Sequence, residues 1–355
     1  MTSRRLRGTR GTKTSAESPV LEVVVLMLDG GYPSTTIGPV EVFHSAGSLW
    51  NMLRGETMQP RFRVRCASVD GKPVTTLGGL TITPEIGISD IKRADIIIVP
   101  ASGLDVLGRI AQNSRLLPWL RRWHSRGAYI AGICTGVAFL AESGLLNGKQ
   151  ATTHWAVADR LRELYPKVRW KVDHFVTEDS RVCCSGGVYA SIDLSLYLVE
   201  KFCGHDIALQ VAKALLVSMP RHRQSGYAVT PLSRPHDDER IKQAEDFLHA
   251  HLGDDISIEA LAGRTGMGAR NFIRRFKAAT GRLPRAYMQM LRVWAAKDML
   301  EHGATSIQAV SSKIGYDDVA FFRTLFKRHT GMTPAEYRER FAGLRVAHNG
   351  LAAAG

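Results

Sequence analysis

Apolar and polar positions along this chain follow one rhythm for about two hundred residues and then another. Residues 23–28 are an unbroken apolar run, and 95–99 is one after its opening Asp95, the pattern of parallel strands buried on both faces. Residues 61–69 alternate more, and 128–133 form another apolar run. Between these, stretches around 39–53, 104–113, 116–126, 137–143 and 156–164 place apolar residues three and four apart, the helical spacing. Two more helices are expected at 189–202 and 205–217. Alternation of strand and helix predicts an α/β domain with a doubly wound parallel sheet and right-handed crossovers over residues 19–218. The rhythm stops at 219–235, where Pro220, Pro231 and Pro235 fall in seventeen residues, so this stretch is read as a linker. Residues 236–341 carry only the helical period and predict an all-α domain. Residues 1–18 and 342–355 have no period and are expected to be tails, the first disordered and the second flexible.

The all-α region contains one pattern twice. Ile258, Leu261, Gly266, Met267, Phe272, Phe276, Lys277, Gly281, Pro284 and Tyr287 are matched by Ile307, Val310, Gly315, Tyr316, Phe322, Phe326, Lys327, Gly331, Pro334 and Tyr337. The offset is 49 as far as the first glycine and 50 from the phenylalanines onward, so one residue has been added to the second turn. Each copy reads as two amphipathic helices joined at a glycine, a helix-turn-helix whose second helix enters the major groove of double-stranded DNA. Arg270, Asn271, Arg274, Arg275 and Lys277 lie on that helix in the first copy, with no acid between Ala269 and Thr280. Its counterpart carries Arg323, Lys327 and Arg328 with Asp318 at its start. Basic side chains there neutralise phosphates and release counterions.

From these residues, and from the stretch Gly315-Tyr316-Asp317-Asp318 through Thr333-Pro334 and Tyr337-Arg338, the region resembles the AraC/XylS family of transcriptional regulators. The resemblance implies base-reading roles for Arg270 and Arg274 in the first copy and for Val319, Ala320 and Thr324 in the second. Arginine can hold the O6/N7 edge of guanine with two hydrogen bonds, whereas valine and alanine offer only apolar contact. The first copy is therefore expected to carry most of the hydrogen-bonded readout, and the second to hold register.

In the α/β domain the chemical centre is Gly132-Ile133-Cys134-Thr135-Gly136. A G-x-C-x-G between a strand and a helix is a nucleophile elbow, a tight turn expected to push the thiol outward toward a helix N-terminus that lowers its pKa. With Glu41 and Thr152-Thr153-His154-Trp155, it resembles the ThiJ/PfpI branch of the class I glutamine amidotransferase-like superfamily over residues 20–217, which implies a flavodoxin-like fold. The resemblance also implies that Glu41, Cys134 and His154 converge at the C-terminal edge of the sheet, where open α/β sheets place ligands. Trp155 is added to this expected pocket. Trp155 and Tyr189 flank loops at that edge and suit either a pocket wall or core packing. Against catalysis, His154-Trp155-Ala156 lacks the His-x-Glu of amidotransferases. Thr135 stands where PfpI-type peptidases have histidine, and Pro100-Ala101-Ser102-Gly103 replaces the usual glycine-rich turn. The reading is a binding pocket without catalytic residues, not an enzyme. The alternative is a cysteine hydrolase or thiol stress sensor fused to a DNA reader.

Composition changes this picture little. The net charge of +14 is spread along the chain; residues 236–345 hold 18 basic and 14 acidic residues, so local clustering and not the domain total marks the DNA face. No apolar run approaches the ~18–20 residues of a membrane span. The five cysteines form no disulfide framework, which suits a reducing cytoplasm, and no Cys/His spacing suggests a metal. No cofactor is expected. Taken whole, the chain resembles AraC/XylS regulators that carry an amidotransferase-like sensor. That implies a bacterial, cytoplasmic transcription factor, often an activator. Its expected partners are a small-molecule effector (an amine or amino-acid derivative), RNA polymerase and a second copy of itself in a homodimer.

Overall fold

The computed structural model describes residues 19–219, 223–228, 232–303 and 306–342; the predicted tail 1–18 and nearly all of 342–355 lie outside them. By density of contacts the chain divides into two compact units. One holds the described residues up to Lys149 and those from Glu178 to Met219, and the other holds Gln150–Thr177 and the described residues from Arg223 onward.

The first unit runs β1 (Leu21–Leu26), α1 (Ser34–Ser45), α2 (Leu49–Leu53), β2 (Phe62–Ser68), β3 (Val74–Thr75), β4 (Thr81–Ile82), β5 (Ile86–Gly87), β6 (Ile96–Val99), α3 (Val106–Gln112), α4 (Leu116–Ser125), β7 (Tyr129–Ile133) and α5 (Val137–Glu142). Residues 150–177 supply β8 (Gln150–Ala151), α6 (Ala158–Leu164) and β9 (Arg169–Trp170). Next come β10 (Val176–Asp179), β11 (Val182–Ser185), α7 (Ala190–Cys203) and α8 (His205–Ala214). The seven-stranded sheet has the order β10-β11-β7-β6-β1-β2-β5, and its pairs from β11 to β5 are parallel. Unbroken apolar runs in β1 and β6 follow from this, since both faces of those strands are covered. The chain steps from β1 to β2 in one direction and from β6 to β7 in the other. Right-handed crossovers then put α1 and α3–α4 on opposite faces, and α1 packs on α7 while α4 packs on α5. The short edge strands went unforeseen. Ser180 and Arg181, both at positive φ, make the tight turn between β10 and β11, a backbone shape seldom adopted by side chains of this kind.

In the part of the second unit from Arg223 onward the described helices are α9 (Glu239–Ala250), α10 (Ile258–Arg264), α11 (Ala269–Thr280), α12 (Pro284–His302), α13 (Ile307–Lys313), α14 (Val319–Thr330) and α15 (Pro334–Phe341). Two small cores hold them. Leu261, Phe272, Phe276 and Tyr287 centre one, and Val310, Phe322, Phe326 and Tyr337 centre the other. The repeated Pro-x-x-Tyr is thus a packing device: Tyr287 meets Phe276 edge-on at 5.3 Å, and Tyr337 meets Phe326 at 5.4 Å. The caps repeat as well. Ser257 accepts from the Ala260 N–H and Ser306 from the Ala309 N–H, both at 3.1 Å.

Candidate functional site

Each helix-turn-helix pivots on a glycine in the left-handed region, Gly266 (φ +66°) and Gly315 (φ +78°), a conformation that side-chain-bearing residues avoid. The second helix starts three residues after Gly266 but four after Gly315, which locates the extra residue. On α11 the buried side is Phe272, Phe276 and Thr280, while Arg270, Asn271, Arg274, Arg275 and Lys277 are exposed. On α14 Ala320, Arg323, Thr324 and Lys327 are exposed and Val319 half-buried; Phe321 adds an exposed aromatic ring. Asn271, Arg274, Arg275 and Thr324 have internal partners, the last donating its hydroxyl to the Ala320 carbonyl at 3.0 Å. Arg274 donates to Asn271 Oδ1 at 2.9 Å. Arg275 pairs at 2.5 Å with Asp238, the residue capping α9, and the guanidinium holds that carboxyl below its usual range. Arg275 thus braces the first bundle, whereas Arg270 and Lys277 project freely into solvent among the basic side chains of α11. The start of α14 is fixed by Asp318, whose carboxylate accepts from the Ala320 and Phe321 N–H groups.

Sequence reasoning missed Arg292. It is only 8% exposed, and its guanidinium donates to the carbonyls of Leu252 at 3.0 Å, Asp254 at 2.8 Å and Gly315 at 3.4 Å. The first two acceptors lie between α9 and α10 and the third in the second turn, so one side chain on α12 ties the two copies together. Its only sequence signal was a charge at an otherwise apolar helical position.

The elbow forms where the G-x-C-x-G put it, but it does not present a thiol. Cys134 sits at φ +55° between β7 and α5 and is 6% exposed. Burial pushes its thiol up to about 11, although a hydrogen bond from the Thr135 backbone pulls slightly the other way. The expectation of an outward-pointing, acidified thiol is corrected: desolvation outweighs the short helix, and the sulfur is protonated at neutral pH. The donors an oxyanion would need are also taken. Ala101 N–H donates to Thr35 Oγ1 at 3.2 Å and Ser102 N–H to Thr135 Oγ1 at 3.0 Å. Gly136 is locked beneath them, since a Cβ there would lie 2.3 Å from the Pro100 carbonyl oxygen.

Glu41 lies on α1 with an exposed side chain, on one stripe with Ile37 and His44; the α1 side chain tied to the loop beside the elbow is the buried Thr35. The three- and four-residue spacing of 37, 41 and 44 against 35, 39, 42 and 43 was the signal that could have separated them. His154 and Trp155 fall in the 150–177 segment of the other unit. His154 Nδ1 accepts from the Ala156 N–H at 3.1 Å, and burial lowers its pKa; the imidazole is neutral with its proton on Nε2. The two rings stand 5.2 Å apart. Tyr189 is 71% exposed and so is not core.

A DJ-1/PfpI family model matches residues 22–201 of this chain. The chain belongs to the DJ-1/PfpI family. A helix-turn-helix domain model matches residues 261–340. The HTH-type transcriptional regulator CdhR of Pseudomonas aeruginosa is 27% identical over 278 residues, covering 78% of this chain and 82% of CdhR. The regulator GbdR of the same species is 25% identical over 291 residues, 81% of this chain and 77% of GbdR. Isonitrile hydratase of Pseudomonas putida is 31% identical over 185 residues, 52% of this chain and 79% of the hydratase. Similarity to the regulators spans both halves, while similarity to the enzyme covers about half of the chain. This DJ-1/PfpI member is an AraC-type DNA-binding transcriptional regulator with a DJ-1-like sensor domain.

Proposed function

We propose that the DJ-1-like domain binds a small metabolite at the C-terminal edge of its sheet, without turning it over, and that binding alters transcription from sites gripped by α11 and α14. The carrying observation is the elbow itself: a buried, protonated thiol whose neighbouring backbone donors are already bonded. Nucleophilic catalysis needs a thiolate and free oxyanion donors. What the edge offers instead is unused hydrogen-bonding capacity. Ser102 Oγ and Ser185 Oγ are buried without partners. Ser102 is bonded through its backbone to Thr135, the residue after Cys134, and Ser185 lies in register beside Ile133, the residue before it. Buried hydroxyls left unpaired are costly, and a polar ligand would satisfy them. Amines and amino-acid derivatives fit such a site, with Cys134 as part of its wall. His154 and Trp155 remain proposed pocket residues. The functional form is read as a cytoplasmic homodimer, matching paired half-sites, that acts on RNA polymerase as an activator.

A hydrolytic reading has one observation behind it, the similarity to isonitrile hydratase, and the state of the elbow opposes it. The test is a thermal-melt screen of quaternary amines and amino acids on the full chain. At ~100-fold above its dissociation constant a true effector adds about 2.7 kcal/mol to the folded state. It should do so equally in Cys134→Ala and be recovered unchanged. Product formed by the wild type alone would establish the enzyme instead.

A further inference from the structure

The second unit holds a cavity of its own, about 130 Å³ in volume, between α12, the end of α14 and residues 223–228. Met290, Val293 and Trp294 form its apolar side, and Lys297, Ser225 and His329 its polar side. Two polar atoms in this wall, Ser225 Oγ and His329 Nε2, are buried with no hydrogen-bond partner. Lys297 Nζ donates to the Ala228 carbonyl at 2.8 Å, and an ammonium has three N–H groups to give. Burial and neighbouring Arg328 lower the pKa of His329, so the imidazole is neutral and offers one donor.

We propose that this cavity is a second small-molecule site, inside the DNA-binding unit, and that it takes a compact organic monocarboxylate. The carboxylate accepts from the Lys297 ammonium, the Ser225 hydroxyl and His329 Nε2–H, while the apolar body lies against Trp294, Met290 and Val293. The size is right for one ring, since cavities of ~150 Å³ admit benzene. A single cation and apolar walls suit a monoanion better than phosphate, which needs more donors.

Occupancy would reach beyond the cavity because residues 223–228 are a clasp. Gln224, 2% exposed, gives its side-chain amide to the carbonyls of Val172 at 2.6 Å and Thr153 at 2.8 Å, and its backbone N–H to Asp173 at 2.9 Å. Tyr227 packs edge-on between Phe175 and Phe341. A ligand that draws Lys297 from Ala228, or holds Ser225, acts on the same few residues that join segment 150–177 to α15. The expected linker is, in its described part, this clasp.

The probe is benzoate, titrated calorimetrically into the full chain, with benzyl alcohol and inorganic phosphate in parallel. Benzoate should bind one per chain with a dissociation constant below ~1 mM, and each comparator at least tenfold more weakly. Lys297→Met should weaken benzoate at least tenfold, and Ser225→Ala, which removes one hydroxyl and cannot plausibly unfold the chain, about threefold. The loss of affinity in Lys297→Met and Ser225→Ala, both in the second unit, separates this site from the sheet-edge pocket. Absence of benzoate binding, comparator binding as tight as benzoate, or affinity unchanged in both cavity variants would overturn the proposal.

Discussion

The elbow at Cys134 and the reader helix α11 are both short strings of chemically potent residues, and the fold treats them oppositely. At the elbow, Cys134 and Thr135 are buried, and the backbone donors beside them are consumed by hydroxyls from Thr35 and Thr135. On α11, phenylalanines take the core and the arginines are left in solvent. A thiol shielded from water has a raised pKa and is poorly placed to attack a substrate carbonyl, which fits the binding role proposed for it. Guanidiniums held in water on a rigid helix lose little by meeting phosphate or a guanine edge. The molecule exposes the side chains proposed to meet DNA and encloses the cysteine of its elbow.

The largest expected effect that tests this contrast is at Gly136. Gly136→Ala places a methyl against the Val99 and Pro100 carbonyls, and should cost about 3 kcal/mol of stability in denaturant unfolding. A cost under ~1 kcal/mol would mean that the elbow is looser than described. Next comes the thiol itself. Its folded pKa, about 11, lies above its ordinary value of 9, so the native state keeps its proton to higher pH than the unfolded chain. The stabilisation is complete below pH 9 and lost as pH rises toward 11, about 2–3 kcal/mol in all. Cys66, Cys183 and Cys203 are raised by burial too, so the decisive quantity is the difference in slope between wild type and Cys134→Ala. Equal slopes would place the titration elsewhere.

At the other pole, Arg270→Ala and Arg274→Ala should each weaken binding to a selected operator by ~1–3 kcal/mol and relax base preference nearby, with melting temperature unchanged. Equal loss on random DNA would remove either from base readout. Arg275→Ala should divide differently, because its partner caps α9. Since the arginine is substantially exposed and screened by solvent, the loss of stability should be small, with little change in specificity. Lys327→Ala is the mildest case, weakening all sequences alike and reducing the salt slope by about 1. Competition binding across salt concentrations measures the DNA effects of all four variants, and thermal melting measures the stability of Arg275→Ala.

Legibility in the sequence followed the range of the interactions. The two helix-turn-helix copies were readable because their turn glycines, phenylalanines and Pro-x-x-Tyr motifs act within a few residues of one another. The central strands were readable because burial on both faces leaves an unbroken apolar run. The elbow's position was likewise local, but its burial was not: it depends on Thr35 and the 100–103 loop, sixty-six residues apart in the Thr35–Ala101 contact. Arg292 and Gln224 bond to distant carbonyls that any residue could supply, so nothing in the sequence announces them. The prolines of 219–235 suggested a passive tether and concealed the clasp.

The most direct test of the contrast is the rate at which Cys134 reacts with iodoacetamide in the native full-length protein at about pH 8, followed by peptide mass spectrometry and normalised to the urea-unfolded chain. The account predicts a native rate at least ~100-fold below the unfolded one, as expected for a protonated thiol removed from solvent. Selective labelling of Cys134 in the native state, faster than in urea, would show an activated nucleophile and contradict it.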